Sequence, residues 1–247
     1  MMDWDTLTQT TLHCTACKLC QGRHHVVFGV GNPKAEIMFI GEGPGQHEDE
    51  QGEPFVGRSG QLMDKMMNYI GLDRSRNVYI ANIVKCRPPQ NRDPAGEEIA
   101  ACIGYLRNQV ALIRPKIIVC VGRIAAMTLI QPDYKVTRQH GEWAEKNGVW
   151  MMGTFHPAAL LRNPANTQNG FADFLFRNRY HELCRCAVCA VAFVVDGAQR
   201  IGFRRFALGE KSVDSRAAAE FFRFVKTEFR HIRFEISNPT SEGGIAA

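Results

Sequence analysis

The sequence predicts an α/β fold of three layers, in which a short, four-stranded, mainly parallel sheet lies between helices. The strand candidates are almost continuously apolar, each is followed by a stretch of helical character, and the two kinds alternate along the chain. Strands that are apolar throughout are typical of a parallel sheet covered on both faces. The strand candidates are residues 36–41, 77–84, 116–121 and 149–155, and the helix candidates are residues 59–70, 95–113, 123–130 and 170–183.

The individual elements carry further local signals. The first strand candidate contains the apolar run Ile37-Met38-Phe39-Ile40 and stops at a glycine-rich turn. The helix predicted at 95–113 follows Asp93-Pro94 and has Glu97 and Glu98 in its first turn. Proline is favoured near a helix start, and acidic side chains there interact favourably with the helix dipole, so this beginning is well defined.

Length and composition limit the possible architectures. A chain of 247 residues can hold one substantial domain plus an extension, which we place at 1–183 and 184–247. The net charge of +5 permits nucleic-acid binding without arguing for it. No apolar run is long enough to span a membrane, and the polar start Met1-Met2-Asp3-Trp4-Asp5 differs from a signal peptide. We therefore expect an intracellular, cytoplasmic protein that does not associate with membranes.

The extension differs in texture from the first 183 residues. It begins with Cys184, Cys186 and Cys189, for which no fourth metal ligand is evident, and continues with an apolar run over 190–195. Further predicted elements are a strand over 201–208, a helix over 215–233 and a disordered end over 238–247. The sequence does not predict a role for this extension.

Two of the predicted strands end at side chains suited to catalysis. The strand at 36–41 continues into Gly41-Glu42-Gly43-Pro44-Gly45, and the strand at 149–155 continues into His156-Pro157. Open α/β folds bind ligands at the carboxyl ends of their strands, so the Glu42 carboxylate and the His156 imidazole indicate a catalytic pocket. A glycine-rich turn taken alone is also a common structural feature.

The cysteine spacing indicates a metal site. Cys14 and Cys17 form a C-x2-C pair, and Cys86 and Cys102 follow at a distance. Two thiolates from one turn and two from distant segments can close a tetrahedral site that fixes the N-terminus to the domain. Zinc and an iron–sulfur cluster both fit this spacing, and Cys20 is a rival ligand.

Six motifs follow one another in a characteristic order. They are Cys14-x2-Cys17, Gly41-Glu42-Gly43-Pro44-Gly45, Pro54-Phe55-Val56-Gly57-Arg58-Ser59-Gly60-Gln61-Leu62, Asn82-Ile83-Val84-Lys85-Cys86-Arg87-Pro88-Pro89, Cys102, and His156-Pro157-Ala158-Ala159-Leu160-Leu161-Arg162-Asn163-Pro164. As a set they closely resemble the family 4 uracil-DNA glycosylases, the iron–sulfur branch of that superfamily. The resemblance covers roughly residues 12 to 183 and excludes the extension.

The resemblance implies an enzyme that flips uracil out of DNA and hydrolyses its N-glycosidic bond, leaving an abasic site. In this role Phe55 stacks on the base, the Asn82 amide reads its Watson–Crick edge, and the Gly43 N–H contacts it. His156 donates a hydrogen bond to uracil O2 as negative charge develops there. Glu42 positions the attacking water or stabilises the sugar cation.

The resemblance also implies a DNA-binding surface. Leu160 or Leu161 would enter the base stack in place of the flipped nucleotide, and Arg162 would contact a phosphate. Lys85, Arg87 and Arg92, between the second strand and the helix at 95–113, would bind further phosphates. The expected partner is uracil-containing DNA, single- or double-stranded, bound by a monomer.

For the metal, the resemblance implies a [4Fe-4S] cluster held by Cys14, Cys17, Cys86 and Cys102, which leaves Cys20 outside the ligand set. We expect a structural cluster, because hydrolysis of a glycosidic bond has no redox step.

Two alternatives remain open. One is the related branch that traps uracil-DNA covalently through an inserted, histidine-bearing basic loop, but here Gln61 runs directly into a helix and Pro88-Pro89 leads to the next helix without an insertion. The other is a non-catalytic, metal-bearing DNA-binding module. The full set of pocket residues argues against that module, because binding alone needs no such pocket: Glu42, Phe55, Asn82 and His156.

Overall fold

The computed structural model of the protein describes residues 2–163 and, further along the chain, two strands at 192–195 and 201–204. The chain divides into two units, Met1–Phe174 and Leu175–Ala247. The predicted domain boundary after residue 183 and the predicted helix over 170–183 lie outside the described residues.

The first unit contains a six-stranded sheet in the order β1-β3-β2-β4-β6-β5. Its strands are β1 (Val30–Gly31), β2 (Ile37–Gly41), β3 (Val78–Asn82), β4 (Ile117–Val121), β5 (Trp143–Lys146) and β6 (Val149–Thr154). Its helices are α1 (Trp4–Leu12), α2 (Gln46–Gln51), α3 (Arg58–Tyr69), α4 (Gly96–Ile113), α5 (Arg123–Leu129), α6 (Val136–Gln139) and α7 (Pro157–Arg162), with short 3-10 turns at Lys18–Gln21 and Pro89–Asn91.

The predicted α/β class is confirmed, whereas the predicted strand number is too small. The four predicted strands are the central, mutually parallel β3, β2, β4 and β6. Two antiparallel edge strands, β1 and β5, complete the sheet. The sequence pattern does not indicate these two strands, because β1 has only two residues, one of them glycine, and β5 is the half-exposed Trp-Ala-Glu-Lys. Neither carries the apolar run by which a buried strand is recognised.

The centre of the sheet is covered on both faces. Every residue of β2, β3 and β4 is buried, and since successive side chains point to opposite faces, both faces must be packed against other elements. Helix α5 contacts β2, β4 and β6, while α1 packs against α4 and α3 against α7. The apolar strands thus form the middle layer of a three-layered fold.

The parallel arrangement decides where the strand-end side chains go. In the β2–β3 pair Gly41 lies opposite Asn82, and in the β4–β6 pair Val121 lies opposite Thr154. The residues that follow β2 and β6, Glu42 and His156, therefore leave the sheet at the edge where β3 ends with Asn82. This edge carries the candidate site.

The second unit contains β7 (Ala192–Val195) and β8 (Ile201–Arg204), an antiparallel pair in which Val195 lies opposite Ile201. They coincide with the predicted apolar run over 190–195 and with the first half of the strand predicted over 201–208. The predicted helix over 215–233, the C-terminal end and the three cysteines at 184, 186 and 189 lie outside the described residues. None of the described helices combines the length and apolar composition that crossing a membrane requires.

Candidate active site

A cleft of about 760 Å³ opens at the carboxyl edge of the sheet. It is lined by residues from the ends of all four parallel strands, including Glu42, Asn82, Gly122 and His156. Loop and helix residues supply the remaining walls, among them Gly43, Glu48, Phe55, Asn91, Arg123 and Arg162. The structure therefore brings together all five side chains and backbone groups predicted for catalysis and base binding.

Asn82 presents a polar atom with no partner. Its side-chain Oδ1 is buried and accepts no hydrogen bond. A buried carbonyl oxygen left unpaired costs about 1–3 kcal/mol, so such an atom in a cleft marks a place for a ligand donor. Gly41 makes this arrangement possible, because a Cβ there would lie 2.5 Å from Asn82 Oδ1 and 2.6 Å from Phe55 Cζ.

Phe55 closes one side of the cleft in a strained backbone conformation. Its φ of 54° is left-handed, which costs a non-glycine residue about 1–2 kcal/mol. Its ring is buried and stacks on the His156 ring with centroids 5.6 Å apart and planes inclined by 27°. Directly after it, the Val56 and Gly57 backbone N–H groups donate to Glu48 Oε1 over 2.9 and 3.0 Å. The loop is thus held in a shape that its own sequence disfavours.

The hydrogen bonding of His156 defines its tautomer. The Ala158 backbone N–H donates to His156 Nδ1 over 3.2 Å, so Nδ1 is unprotonated and the proton of the neutral ring is on Nε2. Burial of the ring lowers its pKa to about 4, and the positive charge of Arg162 adds to this effect. At neutral pH His156 is therefore a neutral imidazole whose Nε2–H can donate to a ligand.

Glu42 has the opposite shift. Burial raises the pKa of its carboxyl group to about 7, the Asp93 carboxylate raises it further, and the Arg123 guanidinium lowers it. Asp93 and Arg123 form an ion pair with each other. Both the ionised and the neutral form of Glu42 are therefore accessible near neutral pH, which suits it to stabilising a nearby cation or to accepting a proton from water.

The predicted metal ligands meet at a second place. Cys14, Cys17, Cys86 and Cys102 line one small cavity with Cys20, Arg23 and Lys85. All five of these cysteines are free thiols. Three N–H groups point at sulfur atoms: Lys85 N at 3.2 Å from Cys102 Sγ, Arg23 Nη1 at 3.3 Å from Cys86 Sγ, and Ala16 N at 3.5 Å from Cys14 Sγ.

This donor set could hold a metal through its thiolates. Burial raises the pKa of the Cys102 thiol to about 11, so an unligated thiol there stays protonated, whereas a bound metal deprotonates it. Over the described range, no three histidine, cysteine or acidic side chains converge closely enough to hold a single metal ion. The backbone N–H donors at Cys14 and Cys102 and the Arg23 guanidinium at Cys86 are surroundings that favour metal-bound thiolates.

Comparison with known proteins agrees with these two sites. The family model described as "Uracil DNA glycosylase superfamily" matches residues 28–181. The chain is 41% identical over 194 residues to a type-4 uracil-DNA glycosylase of Archaeoglobus fulgidus, covering 74% of this chain and 94% of that protein. It belongs to the uracil DNA glycosylase superfamily. Another type-4 enzyme, of Thermotoga maritima, is 42% identical over 166 residues, covering 66% of this chain and 85% of its own.

A type-5 uracil-DNA glycosylase is a more distant relative within the superfamily. The protein of Pyrobaculum aerophilum is 32% identical over 149 residues, which cover 54% of this chain and 66% of that protein. The type-4 relatives therefore match the chain better in both identity and coverage.

Not every DNA contact predicted for this superfamily member fits its structure. The prediction that Lys85 binds a DNA phosphate is wrong for the side chain, which is 1% exposed. Its Nζ donates to Gln109 Oε1 over 2.7 Å, and the Gln109 amide donates in turn to the Phe28 carbonyl and the Tyr79 hydroxyl. The whole segment from Asn82 to Cys86 is buried, and burial of Lys85 within it lowers its pKa to about 8.

Of the two leucines predicted to enter the base stack, one is buried and one is exposed. Leu160 is 1% exposed and belongs to the core, so it cannot enter a base stack, whereas Leu161 is 42% exposed. Both lie on the short helix α7. Arg162, at the end of the same helix, lines the cleft as a phosphate contact requires.

The two arginines after β3 differ in what they already bind. Arg87 Nε donates to Asn91 Oδ1 over 2.8 Å, which leaves the two terminal guanidinium nitrogens, Nη1 and Nη2, for other acceptors. Arg92 is engaged by Glu98 in two hydrogen bonds of 2.7 and 2.8 Å, so much of its charge is neutralised. Arg87 is therefore the better candidate for a phosphate contact.

Sequence reasoning missed three groups of functional interest. Glu48 holds the Phe55 loop, the Asp93–Arg123 pair adjusts Glu42, and Arg23 contacts a metal-ligand candidate. Glu48 lies seven residues before Phe55, and nothing in the spacing indicates that its carboxylate folds back onto the loop. The sequence shows that these residues are charged but not what they contact, and charged residues are common on any protein surface.

Proposed function

We propose that the protein is a uracil-DNA glycosylase, which binds a uracil flipped out of DNA and hydrolyses the bond between uracil N1 and deoxyribose C1′. The observation that carries the proposal is the unpartnered, buried Oδ1 of Asn82 in a cleft that also holds the Nε2–H of His156. Similarity to enzymes named type-4 uracil-DNA glycosylases supports it.

Recognition of the base rests on Asn82. Uracil presents an N3–H donor next to the O4 acceptor, and an amide with its oxygen fixed in the cleft accepts from N3–H while its nitrogen donates to O4. Cytosine presents the reverse pattern at these positions, and it would leave Asn82 Oδ1 unpaired. Phe55 supplies an aromatic surface on which the base stacks, and the Gly43 N–H adds a backbone contact.

His156 acts on the leaving group. When the N1–C1′ bond breaks, its electron pair stays with uracil and negative charge spreads to O2. The neutral His156 donates from Nε2–H to that oxygen, and a hydrogen bond that strengthens as charge develops accelerates the reaction. The low pKa of His156 fits this role, since a neutral donor does not have to transfer its proton.

Glu42 acts on the sugar. As the bond breaks, positive charge develops over C1′ and the ring oxygen, which the ionised carboxylate stabilises. Water then adds to C1′ and loses a proton to Glu42 or to solvent, and the uracil anion takes up a proton from solvent, so uracil and an abasic site are the products. The raised pKa of Glu42 allows it to accept a proton near neutral pH.

The flipped nucleotide must be replaced and the strand held. Leu161, an exposed apolar side chain next in sequence to the cleft-lining Arg162, can fill the vacated base stack. Arg162 and Arg87 are suited to contact phosphates of the DNA strand that carries the flipped nucleotide. We expect a monomer that acts on uracil in single- or double-stranded DNA.

The cysteine site would hold a [4Fe-4S] cluster through Cys14, Cys17, Cys86 and Cys102. The free thiols around one cavity and the N–H donors at their sulfurs support this assignment. Such a cluster would supply structural cross-linking, since it joins the N-terminal C-x2-C turn, the segment after β3 and helix α4. Arg87 follows Cys86 directly, so the cross-link also fixes a candidate phosphate contact.

Incubation of the protein with an oligonucleotide that contains one uracil, followed by alkali, tests the proposal. Alkali-dependent strand cleavage at the uracil position, with release of free uracil, is expected. A denaturation-resistant protein–DNA adduct would instead identify a covalent trapping reaction. Binding without cleavage or adduct would identify a DNA-binding module. An oligonucleotide with cytosine or thymine at the same position is the matched control.

A further inference from the structure

We infer that Arg74, outside the cleft, is the positioning residue that holds Phe55 in place for base stacking. This inference rests on the proposed function and deepens it. Arg74 is not one of the cleft-lining residues that the structure describes, and its backbone lies in the connection between α3 and β3. Its guanidinium nevertheless reaches the carbonyl groups of the Phe55 loop.

The Arg74 guanidinium donates four hydrogen bonds, two of them to the Phe55 loop. Nη1 donates to the Pro54 carbonyl over 2.9 Å and Nη2 donates to the Phe55 carbonyl over 2.8 Å. Nε and Nη2 also donate to Asp64 Oδ1 on α3 over 3.0 and 2.7 Å. The guanidinium therefore connects two consecutive loop carbonyls to a fixed helix side chain, which a planar group with several donors can do.

The starting point of this connection is itself fixed. The Arg74 loop is built on Asp73, whose carbonyl accepts from Arg76 N and Asn77 N and whose side chain accepts from Ser75 N. The Arg74 side chain is only 20% exposed, so its guanidinium is not free to move into solvent. Asp64 is partly buried beside it, where burial raises the pKa of the carboxyl group and the Arg74 hydrogen bond lowers it.

Phe55 needs such support because its backbone is strained. Its φ of 54° is disfavoured for a side chain with a Cβ, so without external contacts the residue would relax. On one side Glu48 accepts from Val56 N and Gly57 N, and on the other Arg74 donates to the carbonyls of Pro54 and Phe55. The loop is thus held by an acceptor on its N–H groups and a donor on its carbonyl groups.

Helix α3 adds a steric condition to the same position. A Cβ on Gly60 would lie 1.9 Å from the Phe55 carbonyl oxygen, so the helix approaches this carbonyl as closely as glycine allows. The Phe55 carbonyl therefore sits between the α3 backbone and Arg74 Nη2. A change at Arg74 shifts Phe55 without removing any group that contacts the base.

A double-mutant cycle tests whether Arg74 acts through Phe55. Single-turnover release of uracil from a U·G duplex at saturating enzyme is measured for wild type, Arg74→Met, Phe55→Ala and the double variant. We expect Arg74→Met to slow release about tenfold, and the double variant to be within about twofold of Phe55→Ala. If the two effects multiply instead, Arg74 acts independently of Phe55 and the inference is overturned.

Two further variants separate geometry from charge. Arg76→Met removes the same charge from an exposed arginine two residues away and should keep the wild-type rate. Arg74→Lys keeps the charge but cannot donate to two carbonyls and a carboxylate at once, so only partial recovery is expected. An equal loss in Arg76→Met, or full activity in Arg74→Lys, would assign the effect to charge alone.

Amide hydrogen exchange of Val56 and Gly57 tests the inference without uracil. Exchange should be faster in Arg74→Met and unchanged in Arg76→Met, and an unchanged rate in Arg74→Met overturns the positioning role whatever the substrate. If wild type releases no uracil, the proposed function fails while this measurement still decides the role of Arg74. Should Arg74→Met not fold, Asp64→Asn replaces it and should give the same pattern with smaller amplitude.

Discussion

The cleft and the cysteine site place polar groups in opposite situations. In the cleft, Asn82 Oδ1 has no partner, Glu42 is pushed toward the neutral form and His156 keeps a free donor. At the cysteine site, sulfur atoms accept hydrogen bonds from backbone N–H groups and from Arg23. The cleft thus leaves polar groups without hydrogen-bond partners, whereas the cysteine site already provides hydrogen-bond donors to its sulfur atoms.

This difference fits what each region is proposed to bind. A substrate pocket gains rate and specificity from groups that find their partners only when the substrate or transition state is present. A structural metal site gains stability from ligands and second-layer donors that stay in place throughout. The same sheet supports both, with the cleft at its strand ends and the cysteines on segments that pack around α1 and α4.

The largest effect on the cleft side is expected from His156. Replacing it with alanine removes a donor that strengthens as uracil O2 gains charge, which costs on the order of 100- to 1000-fold in single-turnover rate. Affinity for uracil-containing DNA should change little. His156→Gln retains an N–H donor and should recover part of the loss. Near-normal turnover of His156→Ala, or a loss explained by weaker binding, would contradict the assigned role.

Asn82 is expected to come next. Asn82→Asp replaces the amide nitrogen, the proposed donor to uracil O4, with a second carboxylate oxygen, and it should slow uracil release about 5- to 150-fold, the equivalent of about 1–3 kcal/mol for a disturbed buried hydrogen bond. A protonated carboxyl group can also donate to cytosine N3 and accept from its amino group, so slow cytosine release should become measurable. Chromatography of the released bases follows both reactions. Normal uracil release together with no cytosine release would show that Asn82 is not the reader.

A smaller effect on chemistry is expected from the cysteine site. The wild-type protein is expected to be brown and to contain iron, and Cys86→Ser should abolish both and lower the thermal midpoint. It should also weaken DNA binding about tenfold, or about 1.4 kcal/mol, because it releases the segment that carries Arg87. The rate at saturating DNA should change less than in His156→Ala. Cys20→Ser is the matched control and should keep the iron. Stoichiometric zinc in wild type purified without air would refute the cluster assignment.

The smallest expected effect is a shift in pH dependence through Glu42. If the ionised carboxylate is the active form, the rate rises with pH up to a pKa near 7 and is level above it, and Glu42→Gln removes this dependence. Asp93→Asn removes a carboxylate that raises the pKa of Glu42, so the rise should move to lower pH, by less than about one unit. Arg123→Gln should move it to higher pH. His156 cannot cause a rise near pH 7, because its pKa is about 4.

Much of the fold and of the cleft could be predicted from sequence because both depend on local patterns. A buried parallel strand has an apolar run, and its carboxyl end is the residue where the run stops, so Glu42, Asn82 and His156 could be placed at one edge. The edge strands β1 and β5 could not, since their pairing partners are distant and their own residues carry no such run. The metal identity likewise does not follow from spacing, which zinc and iron–sulfur clusters share.

The sequence by itself determined the α/β class, the positions of Glu42, Asn82 and His156 at strand ends, and the spacing of cysteines that indicates a metal site. Tertiary structure alone decided that Lys85 points inward to Gln109, that Leu161 rather than Leu160 is exposed, and that Arg74 reaches back to Phe55. Each of these depends on a partner 19 or more residues away, or on which face of a short helix is covered. Burial and hydrogen bonding are set by such distant neighbours, and local patterns do not encode them.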